Sequence, residues 1–198
     1  GTIIGGGGLI KTGNGILLLT GTAANTFSGT TTLSAGKLVL GKASGVSAIG
    51  GNLTIAPSSG WLVGAGTGVD LAANEQIPDT AVITFSGGDW SGFRPMGFTE
   101  TIAGLSCTNG RGVIENVGFN YGAATPDGTL IINSAGNYSY NGWIRNVDNV
   151  GGSKINIIKN GGGRLTFSPN PADGNNPRIY YTGQTTVNAG VLELVNLT

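Results

Sequence analysis

The chain has 198 residues, with ten lysines and arginines balanced against ten aspartates and glutamates, and charged residues make up only 10 % of it. A neutral, sparsely charged surface has no field to recruit nucleic acid or an anionic membrane, so neither partner is expected. Glycine supplies 38 residues beside abundant Thr, Asn, Val, Ile and Leu, which predicts strands and turns with little helix and excludes the low-hydrophobicity, high-charge profile of a disordered chain.

From the amino end, Gly1-Thr2-Ile3-Ile4 reads as an open strand; the start on glycine, with no basic segment leading into an apolar run, suggests a mature form or a fragment. Gly5 to Gly8 lacks the Gly-Lys-Ser/Thr ending of a phosphate loop. Next comes Leu9-Ile10-Lys11-Thr12-Gly13-Asn14-Gly15-Ile16-Leu17-Leu18-Leu19-Thr20, and then Thr31-Thr32-Leu33-Ser34-Ala35-Gly36-Lys37-Leu38-Val39-Leu40. Apolar side chains alternate with period two, and Gly13/Gly15, like Gly64/Gly66, Gly110/Gly112 and Gly161/Gly163 later, allows sharp corners. With Leu17 and Leu19 inward, the same parity turns Ile4, Ile10, Ile16 and Leu18 outward as a candidate assembly surface. A covering loop, the amino-terminal strand itself, or a one-residue bulge would remove that surface. The longest apolar runs, Ile16 to Leu19 and Leu38 to Leu40, are far too short to insert in a membrane.

Residues 41–153 predict irregular coils with protruding loops that keep the alternation at Leu53/Ile55 and Leu130/Ile132. The run from Asp89 to Phe98 reads as a loop in which Trp90, Phe93, Arg94, Met96 and Phe98 form a candidate binding loop for a protein or a surface glycan. The alternative is that the loop folds its rings onto the rod. The chain has no histidine, which removes the commonest general base and imidazole metal ligands, and its carboxylates are scattered. Sugar cleavage would need two converging acids, for which Glu100, Glu115 and Asp89 are the first positions to inspect. Gly87-Gly88-Asp89 is a single partial copy of a calcium repeat, so no catalytic residue, cofactor or metal site is expected. Cys107, the one cysteine, reads as a small buried apolar residue. Tyr138 and Tyr140 share a strand face, in a structural role. An ice-binding array would need Thr-X-Thr on successive coils, and Thr30, Thr31, Thr32 and Thr84 show no such recurrence in sequence.

A second copy of the first pattern occupies residues 154–198: Ile157-Ile158-Lys159-Asn160-Gly161-Gly162-Gly163-Arg164-Leu165-Thr166-Phe167, then Thr185-Thr186-Val187-Asn188-Ala189-Gly190-Val191-Leu192-Glu193-Leu194. Lys11 aligns with Lys159, Gly13 with Gly161 and Gly36 with Gly190, and the extra length of the second copy falls in the Pro169 to Pro177 stretch. The aligned outward positions differ, Ile16 and Leu18 against Arg164 and Thr166, which places any further functional surface near the amino-terminal copy.

The Leu-Ile-Lys-Thr-Gly-Asn-Gly run, the Asn25 to Gly29 turn and the Thr31 to Leu40 strand pair resemble the autotransporter-associated β-strand repeat, also called the passenger-associated transport repeat, of secreted bacterial surface proteins. Weaker echoes occur at Glu100 to Ser106 and Gly128 to Ile132. The resemblance implies an all-β, right-handed parallel β-helix and an extracellular or cell-surface location. A single domain is expected, and three short strands plus corners per turn predict about nine coils, a rod roughly 40 Å long at about 4.8 Å per coil. Neither end shows a cap, so the solenoid ends are expected to support a homo-oligomer or filament. The functional expectation is a non-catalytic structural rod; an adhesin or glycan-binding passenger is the alternative, followed by a polysaccharide-active enzyme.

Overall fold

A computed structural model describes residues 1–58, 66–117, 125–146, 153–169 and 179–195. Gly64 and most of the Pro169 to Pro177 insertion lie outside the described residues. Among the described residues every regular element is a strand: β1 (Leu9–Lys11), β2 (Ile16–Gly21), β3 (Thr31–Leu33), β4 (Lys37–Lys42), β5 (Leu53–Ile55), β6 (Gly68–Leu71), β7 (Val82–Phe85), β8 (Ser91–Arg94), β9 (Thr99–Ile102), β10 (Gly104–Cys107), β11 (Gly112–Asn116), β12 (Gly128–Asn133), β13 (Tyr138–Tyr140), β14 (Trp143–Asn146), β15 (Ile155–Asn160), β16 (Arg164–Phe167), β17 (Ile179–Tyr180), β18 (Thr185–Val187) and β19 (Val191–Leu194).

Every strand pairing is parallel, and the strands form three sheets. The first sheet stacks β1, β3, β5, β7, β10, β13, β16 and β19; the second β2, β4, β6, β8, β11, β14 and β17; the third β9, β12, β15 and β18. From β9 onward the chain visits the third, first and second sheets in turn and then begins again one level up. Before β9 the third side is irregular but keeps the ladder: Thr26 N–H donates to Ile3 O (2.9 Å), Ala48 N–H to Gln76 O (2.7 Å) and Glu75 N–H to Thr99 O (3.0 Å). The result is a three-sided parallel β-helix. Among the described residues its eight-stranded first sheet marks eight coils, against the nine or so expected, or about 34 Å at the usual strand spacing.

Parallel register stacks residues of the same parity into columns. In the first sheet Leu33, Ile55, Phe85, Cys107, Tyr140 and Phe167 pair in succession, all buried. In the second, Leu38, Val69, Phe93, Ile114 and Ile144 do the same. Each such Leu, Ile or Phe contributes about 1.5–3 kcal/mol by leaving water. Cys107 fills its place as the small apolar residue expected. Tyr140 brings a hydroxyl into the column, where its single proton is shared between Gly112 O and Trp143 O, both 2.9 Å away.

The two repeat copies share their corner chemistry. Lys11 Nζ donates to Thr12 O (2.8 Å), Gly13 O (2.7 Å) and Ala35 O (3.1 Å). The aligned Lys159 Nζ donates to Asn160 O (2.5 Å), Gly161 O (2.8 Å) and Ala189 O (3.3 Å). Gly36 and Gly190 both take φ 69°, and a Cβ on them would stand 2.5 Å from Gly13 O and 2.4 Å from Gly161 O. A glycine-free corner could not stack this closely.

The copies nevertheless sit on different sides of the prism. Sequence alignment matches β1 with β15, β2 with β16, β3 with β18 and β4 with β19. Yet β1 and β3 belong to the first sheet and β15 and β18 to the third, while β2 and β4 belong to the second and β16 and β19 to the first. The repeat is therefore a stacked corner, and its second copy is turned by one face. The sequence comparison of Ile16 and Leu18 with Arg164 and Thr166 set residues of two different faces against each other, so their contrast no longer singles out one end.

Candidate functional site

The expected assembly residues are exposed: Ile4 74 %, Ile10 68 %, Ile16 65 % and Leu18 55 %. They do not share one sheet face. Ile10 lies on β1 of the first sheet, and Ile16 and Leu18 on β2 of the second, across the Gly13 to Gly15 corner. Leu18, Leu19, Thr20 and Lys42 also border an open pocket of about 190 Å³ with Gly1, Ile3 and Asn25.

The Trp90 to Phe98 run departs from the loop expected. Ser91–Arg94 is β8, an interior strand of the second sheet between β6 and β11. Phe93 points into the core, Met96 is buried, and Trp90 and Phe98 are half-buried. Arg94 lies on the opposite side of the sheet from Phe93 and is 1 % exposed, because it occupies the centre of an ion ladder. Its Nη1 meets Asp70 Oδ1 at 2.9 Å and its Nε meets Glu115 Oε1 at 3.0 Å. Lys37 Nζ holds Asp70 Oδ2 at 2.8 Å, and Arg145 Nη2 holds Glu115 Oε2 at 2.8 Å. Burial opposes the Arg94 charge, but the two carboxylates outweigh it and raise its pKa further. Gly68 and Gly92 make room for this side chain: a Cβ would stand 2.7 Å from Arg94 Nη1 at the first and 2.9 Å from Cζ at the second.

Along the corner between the first and second sheets runs an aromatic strip that the sequence reading did not assemble. Trp90 meets Trp143 edge to face at a centroid distance of 5.3 Å, and Trp143 meets Tyr180 at 6.3 Å. Arg111 lies over the Trp90 ring at 5.8 Å and Arg145 over Trp143 at 5.4 Å. Trp90 and Trp143 lie 53 residues apart in sequence and Trp143 and Tyr180 37, and only the stacking of coils brings them together.

The acids named in the sequence do not converge. Glu115 is committed to the ion ladder of the second sheet. Glu100 is buried on β9 of the third sheet, where it accepts the N–H groups of Gln76 (2.8 Å) and Ile77 (3.0 Å). Desolvation lifts its pKa to about 8 against the lowering effect of those two donors. Asp89 Oδ1 accepts the Trp90 N–H at 2.8 Å. The hydroxyl recurrence absent from the sequence is partly present in space: Thr32, Thr54, Thr84 and Ser106 pair in succession on the first sheet. Two residues earlier stand Thr30, Asn52, Val82 and Gly104, so the hydroxyls form one column and not a Thr-X-Thr array.

The stacked parallel sheets, closed corners and continuous inner columns define the class as a parallel β-helix. Within that class, the passenger-associated transport repeat model matches residues 9–40 and 157–194, the two segments whose lysine-held corners are described above. Those two segments are similar to passenger-associated transport repeats. No curated protein and no solved structure gives a significant match.

Proposed function

We propose that this chain is a structural, non-catalytic rod of a bacterial extracellular or cell-surface assembly, and that it polymerises by stacking its end coils. One observation carries the reading. Among the described residues, the exposed large apolar side chains are Ile3, Ile4, Ile10, Ile16 and Leu18 of the first coil, with Tyr180, Val187, Val191 and Leu194 on the last strands of the three sheets. Strand edges that carry apolar side chains and unpaired backbone groups favour addition of further strands. Two unlike ends meeting head to tail do not close, so the assembly grows. The passenger repeat supports the extracellular setting. Electron microscopy of the purified chain over a range of concentrations is expected to reveal fibres about as wide as one rod; compact monomers at the highest concentration would reject polymerisation.

A second reading, glycan binding, is favoured by the aromatic strip of Trp90, Trp143 and Tyr180 with its two arginines, since such rings stack on sugar faces. Retention on immobilised polysaccharide that is lost in Trp143→Ala would support it, and a blank glycan array would dismiss it.

A further inference from the structure

The arrangement of the two repeats fixes how copies meet, given the self-stacking reading above. We infer that a second copy adds to the carboxyl-terminal edge rotated by one face, so that its β1 lies over β18 and its β2 over β19, the two lysine corners falling in one column.

The inference rests on what the last coil offers and on what its counterpart inside the molecule already receives. Thr185, Val187, Leu192 and Leu194 align in the repeat with Thr31, Leu33, Leu38 and Leu40. On its carboxyl-terminal side that earlier coil accepts Leu53 on Thr31, Ile55 on Leu33, Val69 on Leu38 and Leu71 on Leu40. One face of rotation presents Leu9 to Thr185, Leu17 to Leu192 and Leu19 to Leu194, three contacts of the same apolar kind. Lys11 then lies over Val187 with its ammonium already held by its own corner carbonyls. Without rotation, β1 lies over β19 instead, which takes Leu17 and Leu19 off Leu192 and Leu194 and sets Lys11 on Leu194, while Glu193 receives an apolar side chain either way, Leu18 in the rotated stack and Ile10 in the unrotated one.

A polar column points the same way. Asn160 Nδ2 donates to Asn133 Oδ1 and Asn188 Nδ2 to Asn160 Oδ1, each at 2.9 Å, so Asn188 Oδ1 is the last acceptor of a directional ladder. In the rotated stack the next residue over Asn188 is the exposed Thr12, whose hydroxyl can donate to that oxygen. Without rotation this corner receives the glycine run before β1, which has no side chain to donate.

Paired cysteines distinguish the two registers. Leu18→Cys with Glu193→Cys marks the rotated stack, and Ile10→Cys with Glu193→Cys the unrotated one. All three positions lie outside the core, the two ends of one rod are too far apart to react with each other, and Cys107 is buried. Under mild oxidation the first pair is expected to give a ladder of covalent oligomers and the second only monomers. A ladder from the second pair, or assembly by light scattering with a ladder from neither, overturns the rotated register and leaves self-stacking intact. Monomers throughout, by scattering as well as by gel, overturn both.

Discussion

Glu100 is an acid placed on an inward column, where its register partner is the core residue Leu130. It is there because the preceding coil is irregular at Gln76 and Ile77, whose buried N–H groups would otherwise lack acceptors. Its folded pKa of about 8 lies above the ordinary value of 4.5, so the folded state holds the proton more tightly. The stability this proton brings is complete below the unfolded value and is lost as pH rises through about 8. The urea midpoint is therefore expected to fall between pH 5 and pH 8.5, and Glu100→Gln to lose that slope. Arg94 poses the opposite case, a cation whose removal leaves each of two buried carboxylates with one partner, Asp70 with Lys37 and Glu115 with Arg145; Arg94→Met is expected to lower unfolding free energy by about 1.5–3 kcal/mol, the range for hydrogen bonds to charged groups, read from denaturant curves. Neither role could be read from the sequence. The acid was visible at position 100, but the donors it serves lie a full coil away. Arg94 was read as a contact residue because an arginine beside aromatics is typical of interfaces, while the charges that bury it come from β6 and β11.

Alternation along short strands was legible because one side of every sheet faces a core, so Leu38/Leu40 and Leu130/Ile132 read correctly. The β8 strand escaped notice because Gly92 interrupts its pattern and its outward position, Arg94, is paid for by ion pairing and not by water. The corner lysines were seen only as aligned letters. Their function emerges from three carbonyl contacts each, one of them to the following coil, which ties two levels together. Lys159→Met keeps much of the stem's bulk and leaves those carbonyls without a donor. It is expected to cost about 1.5–3 kcal/mol, the range for hydrogen bonds to a charged group, measured as a lowered denaturant midpoint. The rotation between copies could not be read from the repeat at all, since a strand's letters do not say which side of the prism it occupies.

Across the rod, β1, β2, β17, β18 and β19 close their sheets with one edge open, while β9, the sixth terminal strand, meets the irregular coil before it through the Glu75 N–H to Thr99 O bond. In a stack of nearest-neighbour contacts the end levels open at lower free energy than the middle. Amide exchange is therefore expected to be fastest in those strands and slowest in β7, β10 and β11. Prior assembly should slow exchange in the end strands alone. The corner unit also has a consequence for how such rods display what they carry. Two copies of one motif, identical letter for letter, would aim the same outward residue in directions a third of a circle apart. A lineage that lengthens its rod by copying this unit distributes any attached binding group around the circumference like leaves around a stem, and a partner approaching from any side would find one.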